Sequence, residues 1–209
     1  MRITELRKKI GGLEIYVPEL NIKSGSIHGL VGHNGCGKTT LLKLIMGLME
    51  PDSGMIDLEG LSPTDITMMS QRPYLMHKST YENIIYPLKL RKAEIDEEKI
   101  DSLLLRAELS EQKHQYAPSL SSGERQKLSF LRAIIFHPRL ILMDETLSNL
   151  DGDSEKLFRE MILEQHNEDG STWLIVSHQW DGMNTLFDEV DHMEKGLIKP
   201  QQARQKEEI

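Results

Sequence analysis

The sequence predicts an α/β fold built around a mainly parallel sheet. Short apolar runs alternate with longer amphipathic segments along the 209-residue chain, and this alternation is typical of a sheet covered by helices on both faces. Some of the short runs are apolar at almost every position, as expected for strands that are buried on both sides. A glycine-rich loop also lies between the first such strand and the helix after it, which is a common α/β arrangement.

The apolar runs and helical periodicities define eight segments. In chain order they are a strand at 26–31, a helix at 39–49, a strand at 65–70, a charged helical stretch at 91–118 with apolar positions Ile95, Ile100, Leu103, Leu104 and Leu105, a helix from Glu124 that Pro138 stops, a strand at 140–144, an amphipathic helix at 154–166 and a strand at 172–177. Turn residues at 51–54 close the first helix, and the polar residues 201–209 are expected to be a solvated helix end or disordered.

Composition and charge restrict the function classes. Hydrophobic residues make up 38% of the chain and charged residues 28%, which is typical of a soluble globular domain. The net charge of −8 argues against nucleic acid as the main partner, because phosphate backbones are bound by basic surfaces. Cys36 is the single cysteine, no apolar run approaches the roughly 20 residues that span a bilayer, and the N-terminus has no apolar signal core. We therefore expect a cytoplasmic protein.

A phosphate-binding loop follows the strand at 26–31. Residues 32–39 read GHNGCGKT and fit the P-loop pattern G-x-x-x-x-G-K-[ST]. Its glycines let backbone N–H groups surround phosphate oxygens, and the helix N-terminus adds its positive dipole end. Lys38 supplies a charge for the β- and γ-phosphates, and Thr39 offers its hydroxyl to Mg²⁺. We expect the chain to bind a nucleoside triphosphate through Gly32, His33, Asn34, Gly35, Cys36, Gly37, Lys38, Thr39 and Thr40.

Two adjacent acids end the apolar strand at 140–144. Asp144 lies where a P-loop protein holds Mg²⁺ through water, and Glu145 follows it directly. Glu145 can accept a proton from an attacking water as a general base. By themselves two acids at a strand end are more often a solvated turn, but the P-loop upstream favours the catalytic interpretation.

Residues 119–124, SLSSGE, leave two interpretations open. Ser121 is a good N-cap for the helix that follows, and a plain helix cap is the common role of such a stretch. The same small polar residues can also hold an anion at the helix start. Gln71 and His178 each follow a predicted strand, and either residue alone would be ordinary.

Together these motifs resemble the ATP-binding cassette (ABC) family. The P-loop, Gln71, LSSGE at 120–124, LILMDE at 140–145, SNLD at 148–151 and His178 occur in the family's order over about residues 1–199. The resemblance implies a P-loop NTPase with an N-terminal antiparallel β subdomain and a small helical signature subdomain, at about 72–136, inserted in the core. It leaves 200–209 as a polar tail. LSSGE corresponds to the family's LSGGQ signature, Gln71 to its Q-loop, Asp151 to its D-loop and His178 to its switch histidine.

The resemblance also implies a mechanism in which two cassettes stack head to tail around two ATP molecules. Each ATP would lie on one subunit's P-loop and be closed by Ser121, Ser122, Gly123 and Glu124 of the other subunit. Lys38, Glu145 and His178 would be catalytic, and Thr39, Gln71 and Asp144 (through water) would hold Mg²⁺. Asp151 and Asp153 can equally be helix caps.

The chain departs from the family pattern at several positions. Ser122 replaces a glycine of the signature and Glu124 its glutamine, while Thr146-Leu147 replaces a proline-threonine pair after the glutamate. Residues 9–11 are Lys-Ile-Gly where the family has an aromatic residue that stacks on adenine, and Tyr16 lies a few residues later. The strictness of ATP over GTP therefore stays open. We also expect no regulatory domain after residue 199.

Three functions fit this resemblance. The first is the ATP-hydrolysing subunit of a membrane transporter, bound to permease subunits near residues 72–92 at the inner face of the cell membrane, as a homodimer or a heterodimer. The pattern of residues 72–92 is similar to that of ATPases of small-oxyanion importers, such as those for tungstate or molybdate. The second is an ABC ATPase of assembly or repair, although the roughly 80 residues between P-loop and signature exclude the long coiled-coil repair proteins. The third is a scaffold that binds nucleotide without turnover. The presence of Glu145 and His178, the expected catalytic residues, argues against this third function.

Overall fold

The computed structural model describes residues 1–147, 150–178 and 186–199. Ser148 and Asn149 of the predicted D-loop and the predicted tail at 200–209 lie outside the described residues. The strands are β1 (Arg2–Ile10), β2 (Leu13–Asn21), β3 (Ile27–Val31), β4 (Ser53–Asp57), β5 (Ile66–Met69), β6 (Leu140–Asp144), β7 (Thr172–Ser177), β8 (Glu189–Glu194) and β9 (Leu197–Lys199), and the helices are α1 (Lys38–Ile45), α2 (Thr80–Arg91), α3 (Glu97–Arg106), α4 (Ser122–Ile134) and α5 (Gly152–Asp169).

These strands form one nine-stranded sheet in the order β4-β1-β2-β9-β8-β3-β7-β6-β5. Strands β8, β3, β7, β6 and β5 are parallel neighbours. Their carboxyl ends therefore lie along one edge, where ligands bind in open α/β sheets. The predicted mainly parallel core is confirmed.

The first two strands and β4 make an antiparallel part of the same sheet. Along β2 the buried Ile15 and Val17 alternate with less buried residues. In β1 the buried Ile3 and Leu6 lie three residues apart, because Glu5 between them has a left-handed φ of 50°. A register shift between Thr4 and Arg7 interrupts the pairing of β1 with β4. The antiparallel N-terminal region that the family resemblance implied is present.

Apolar clusters cover the two faces of the sheet. One contains residues of α2, α3, α4 and α5, and the other contains residues of α1, β1 and β2. The rings of Phe130 in α4 and Phe158 in α5 stack with centroids 4.2 Å apart. Full burial of one such side chain stabilises a fold by about 1.5–3 kcal/mol, so this contact ties α4 firmly to the core.

Several predicted boundaries were wrong. The first helix ends at Ile45 rather than 49, because Gly47 takes a left-handed φ of 73° and the chain turns there. Strand β4 begins at Ser53 inside the predicted turn, since it pairs with β1. The stretch 91–118 contains one short helix, α3, that ends before a left-handed Glu108, and Leu105 on its outer side is exposed.

Helix α2 was not predicted as a separate element, although it lies within the helical subdomain that the resemblance implied at about 72–136. It begins with a capping box in which the Ser79 hydroxyl accepts a hydrogen bond from the Glu82 N–H, and the Glu82 carboxylate accepts one from the Ser79 N–H. The motif S-x-x-E at 79–82 is a recognised sign of a helix start. Pro87 lies inside this helix, and a proline there argues against helix in sequence-based assignment.

None of the helices in the described ranges is long and apolar enough to cross a membrane.

Candidate nucleotide site

The loop at 32–37 is open toward the solvent at the carboxyl end of β3. Gly35 and Gly37 have φ values of 78° and 113°, which residues with a side chain rarely adopt. Helix α1 starts directly afterwards at Lys38, so the N–H groups of Lys38, Thr39 and Thr40 have no partner inside the helix. These free donors at a helix N-terminus form an anion-binding cradle.

The turn between β8 and β9 supports this cradle from behind. The Gly196 N–H donates to the Cys36 carbonyl over 2.9 Å, and the Tyr16 N–H donates to the Gly196 carbonyl over 2.8 Å. A Cβ atom on Gly196 would lie 1.9 Å from the carbonyl oxygen of Glu14, and a Cβ atom on Gly32 would lie 2.1 Å from that of Met193. Close backbone contact therefore requires glycine at both positions.

The Lys38 ammonium lies inside the cradle and is almost fully buried. It donates to the carbonyls of Gly32 over 2.6 Å and His33 over 3.1 Å. Its Nζ also lies 3.4 Å from the Glu145 Oε1 atom. A buried ammonium needs such partners because its desolvation is costly, and the same donors can serve a phosphate.

Asp144 at the end of β6 is buried and accepts a hydrogen bond from the Thr39 hydroxyl over 3.0 Å. Burial raises the pKa of Asp144 above its usual value, the Thr39 hydrogen bond opposes this, and the neighbouring Glu145 charge adds to it. A cation bound beside Asp144 would offset the cost of burying its charged form. One carboxylate and one hydroxyl beside a phosphate cradle are the donor set that Mg²⁺ takes together with substrate phosphates, so the residues fit that ion.

Glu145 is the point at which the predicted catalytic residues meet. The Gln71 amide donates to its Oε2 atom over 3.1 Å, and the His178 Nδ1 atom lies 3.8 Å from the same oxygen. Nδ1 of His178 has no hydrogen-bond partner within the described part of the chain. Lys38, Gln71 and His178 thus surround the Glu145 carboxylate. The backbone of Glu145 has a left-handed φ of 52°.

The signature segment lies apart from this cluster. Ser121 is the N-cap of α4, and a capping box joins it to Glu124, with the Ser121 N–H 2.7 Å from the Glu124 Oε2 atom. Ser121, Ser122 and Gly123 are exposed. Within the described ranges no hydrogen bond or ion pair links 121–124 to the phosphate cradle. The helix cap is therefore present in the structure, while the anion-binding role of these residues stays a prediction.

A cleft of about 930 Å³ lies beside the signature segment, and Gln71 is the one residue of the Glu145 cluster that lines it. Gln71 lines one side, and Ser122, Gly123 and Asp151 line another. Asp151 caps α5, where its carboxylate accepts hydrogen bonds from the N–H and the hydroxyl of Ser154. These hydrogen bonds hold the pKa of Asp151 below its usual value. The cap is present in the structure, while the D-loop role stays a prediction.

Tyr16 does not face the phosphate cradle. The neighbouring Ile15 side chain comes within about 3.0 Å of the space that a Cβ atom on Gly37 would occupy, and successive side chains of a strand point to opposite faces. On the outer face the Arg7 guanidinium lies 3.8 Å above the Tyr16 ring, and the phenol donates to the Glu5 carboxylate. Tyr16 is therefore not placed to stack on a base.

Sequence reasoning missed one polar contact at the site. The Gln126 amide in α4 donates to the Thr146 carbonyl over 2.9 Å, one residue after Glu145. The spacing of Gln126 after the signature carried no signal that the two segments would meet.

Comparison with known proteins identifies this arrangement. A family model described as "ABC transporter" matches residues 17–148. The chain belongs to this family. It is 32% identical to the tungstate uptake system ATP-binding protein TupC of Peptoclostridium acidaminophilum, over 94% of this chain and 95% of that protein. It is 36% identical to the Fe(3+) ions import ATP-binding protein FbpC of Vibrio cholerae, over 86% of this chain, but it spans only 54% of that longer protein.

Solved ABC structures have the same fold. The dimeric post-hydrolysis state of the ATP-binding cassette MJ0796, bound to ADP and Pi, superposes with a TM-score of 0.80 at 25% identity over 95% of this chain and 96% of that one. The cassette cbiO1 of Clostridium perfringens superposes with a TM-score of 0.76 at 23% identity over 95% and 86%. The chain is an ATP-binding and ATP-hydrolysing subunit of an ABC transporter.

Proposed function

We propose that two copies of this ABC subunit, or one copy and a second ABC subunit, close head to tail around ATP. ATP would lie on residues 32–40 of one copy and be covered by residues 121–124 of the other. One observation carries the proposal: the phosphate cradle and its acids are complete within one chain, while the capped start of α4 is exposed and separate from them. We also propose that 1–199 is one ABC ATPase domain, with a helical subdomain at about 72–136 and a tail after 199.

In this proposal Glu145 is the general base. Water attacks the γ-phosphorus, Glu145 accepts its proton, and the bond from phosphorus to the β–γ bridging oxygen breaks to give ADP and phosphate. The Gln71 amide and the Lys38 ammonium contact the carboxylate in the structure, and His178 would contact the γ-phosphate and the same water. Asp151 of the D-loop would join the closed interface.

Mg²⁺ would be held by the Thr39 hydroxyl and by Asp144 through water, with Gln71 nearby. The raised pKa of the buried Asp144 carboxyl supports a cation at this point. When bound, the ion would neutralise charge on the β- and γ-phosphates. Thr39 already orients the Asp144 carboxylate with its hydroxyl hydrogen bond.

We place the permease contact near residues 72–92. An open groove of about 600 Å³ is lined there by Tyr74, Tyr86 and Leu90, and Tyr74 and Leu90 are 78% and 63% exposed. Arg132 of α4 donates to the Tyr74 carbonyl over 2.6 Å, so the groove adjoins the signature helix. Binding there would keep the subunit in the cytoplasm, on the inner face of the membrane.

We infer that the transporter is an importer, and that its cargo is a small oxyanion. The similarity to the tungstate uptake protein covers nearly the whole length of both chains, which supports this choice over iron. Cells that lack the subunit should lose accumulation of tungstate or molybdate and keep that of iron, as measured by elemental analysis. Loss of iron alone would contradict the oxyanion assignment.

The decisive test of the ATP mechanism is Glu145→Gln. Loss of a general base costs about 10²–10⁴-fold in rate, so hydrolysis should nearly vanish while ATP binding remains. Size-exclusion chromatography should then show a stable dimer in ATP and monomer in ADP. Glu111→Gln, an exposed acid far from the cradle, is the control. Normal turnover by Glu145→Gln would remove Glu145 as the base.

A partner experiment separates transport from the alternative role in assembly or repair. A tagged subunit purified from gently solubilised membranes should bring a multi-span permease with it. Substitution of Tyr74 and Leu90 by aspartate should release that permease and leave basal ATP hydrolysis unchanged. Recovery with water-soluble partners alone would favour the assembly or repair ATPase.

A further inference from the structure

The segment that carries Glu145 is anchored on two sides. The Glu145 N–H donates to the Val176 carbonyl of β7 over 3.1 Å. One residue later, the Thr146 carbonyl accepts the Gln126 amide of α4 over 2.9 Å. The first anchor belongs to the central sheet, and the second belongs to the helix that begins with the signature residues. The two hydrogen bonds therefore bracket the base.

The second anchor, the hydrogen bond from Gln126 of α4, lies at a buried residue. Thr146 is only 1% exposed, and its hydroxyl has no hydrogen-bond partner in the ranges that the structure describes. Glu145 holds a left-handed backbone, which a residue with a side chain keeps only when its surroundings enforce it. Among the residues that the structure describes, loss of the Gln126 amide would leave the Thr146 carbonyl unsatisfied, and this backbone would be freer to relax.

Gln126 and the signature residues belong to the same helix. Gln126 lies one helical turn after Ser122 and Gly123 in α4, and the i→i−4 hydrogen bonds of the helix join the two turns. In the closed dimer the start of α4 would contact the ATP that the other subunit holds. A shift of α4 at that contact would reach the Thr146 carbonyl through Gln126.

We propose that Gln126 is a positioning residue that sets Glu145 of its own subunit in response to the ATP held by the other subunit. Each base would then be placed only when its own signature helix has closed on the opposite nucleotide, so the two ATP sites of the dimer are coupled. This inference rests on the proposed head-to-tail dimer.

Two mixed dimers test this assignment. Each pairs a subunit that keeps Glu145 with one that carries Glu145→Gln, so that one base works per dimer. In the first mixed dimer, Gln126→Ala is on the subunit that keeps Glu145. In the second, it is on the Glu145→Gln subunit, whose α4 closes the working site. Single-turnover hydrolysis is compared with that of a mixed dimer in which Gln126 is intact.

We expect hydrolysis to fall about tenfold or more in the first mixed dimer and to change less than twofold in the second, because a small misplacement of a catalytic group is costly. Gln126→Met, which keeps the length but not the donor, should act like Gln126→Ala. Gln112→Ala is the matched control, and ATP affinity and the thermal midpoint should stay unchanged.

Two results would overturn the proposal. Loss in the second mixed dimer, alone or together with the first, would mean that Gln126 shapes the signature that covers the other subunit's ATP. Full activity in both would mean that the Thr146 contact is incidental. Failure of the proposed function is recognised separately, since the dimer with Gln126 intact would then not form in ATP.

Discussion

The phosphate cradle and the signature segment are both helix N-termini, but they are built differently. At α1 the charged groups face one another in a buried pocket, where Lys38 and Glu145 lie 3.4 Å apart. At α4 the start is exposed, and Glu124 of the same chain caps it. The charged groups of the cradle therefore meet within one chain, while we propose that the signature offers its donors to a second molecule. This difference explains why a single chain would have two half-sites.

The largest expected effect is the loss of ATP hydrolysis in Ser121→Arg, which tests whether the start of α4 serves a second molecule. The arginine side chain would fill the approach to α4 and prevent dimer closure, so hydrolysis should fall about 10²–10³-fold, the scale seen when a preorganised anion-stabilising group is removed. ATP affinity of the isolated subunit should be unchanged in equilibrium binding, since the cradle is untouched.

Two companion variants exclude a trivial loss of the helix cap. Ser121→Asp keeps an N-cap but repels phosphate, so it should also block closure. Ser110→Arg makes the same exchange at an exposed position in the loop after α3 and should leave the rate unchanged. If Ser121→Arg and Ser121→Asp both hydrolyse ATP normally, the segment is only a helix cap.

A smaller effect is expected at Asp144, the buried acid of the phosphate cradle. The pKa of the Asp144 carboxyl is raised, mainly by burial, so folding favours its protonated form and stability falls as the pH rises through that pKa. Asp144→Asn keeps an acceptor for Thr39 without the charge. We expect its thermal midpoint, without nucleotide and in a chelator, to rise by roughly 2–4 °C at neutral pH, the change that about 1 kcal/mol produces in a domain of this size.

The pH dependence provides a check on this assignment. The gain from Asp144→Asn should shrink as the pH is lowered toward the range in which Asp144 itself is protonated. Asp153→Asn, an exposed acid in the first turn of α5, should show no such gain. A lower midpoint for Asp144→Asn at neutral pH would mean that the carboxylate stabilises the fold.

The smallest expected effect concerns recognition of the nucleobase. Because Tyr16 faces Arg7 and Glu5 on the outer side of the sheet, Tyr16→Leu should change ATP affinity less than twofold. Wild-type affinities for ATP and GTP should also agree within about threefold, since Tyr16 is not placed to supply base stacking, which is worth about 1–3 kcal/mol. A strong preference for ATP in fluorescence titrations would point to another residue that binds the base.

The residues of the candidate site could be selected from the sequence because they are local in the chain. Lys38 and Thr39 lie within one loop, and Asp144 and Glu145 end one apolar strand, so the P-loop and that strand together predicted their roles. The contact of Gln71 and His178 with Glu145 required the order of the strands, which the family resemblance supplied.

Other features could not be read in this way. The Gln126 contact with Thr146 depends on how α4 packs on the sheet, and the outward direction of Tyr16 depends on the register of β2. Helix α2 was missed although its capping box at 79–82 is visible in the sequence. The exposure of Leu105, one of the apolar positions of the stretch 91–118, depends on which side of α3 packs on the core.

The glycine in the β8–β9 turn has a consequence for genetics. Every replacement of Gly196 would put a side-chain atom into the Glu14 carbonyl and push the turn away from Cys36. A saturation library selected for transport should therefore show position 196 as intolerant as the P-loop, although it precedes the end of β9 by only three residues and contributes no side chain to the cradle. In a mutational map this position would be mistaken for a nucleotide contact.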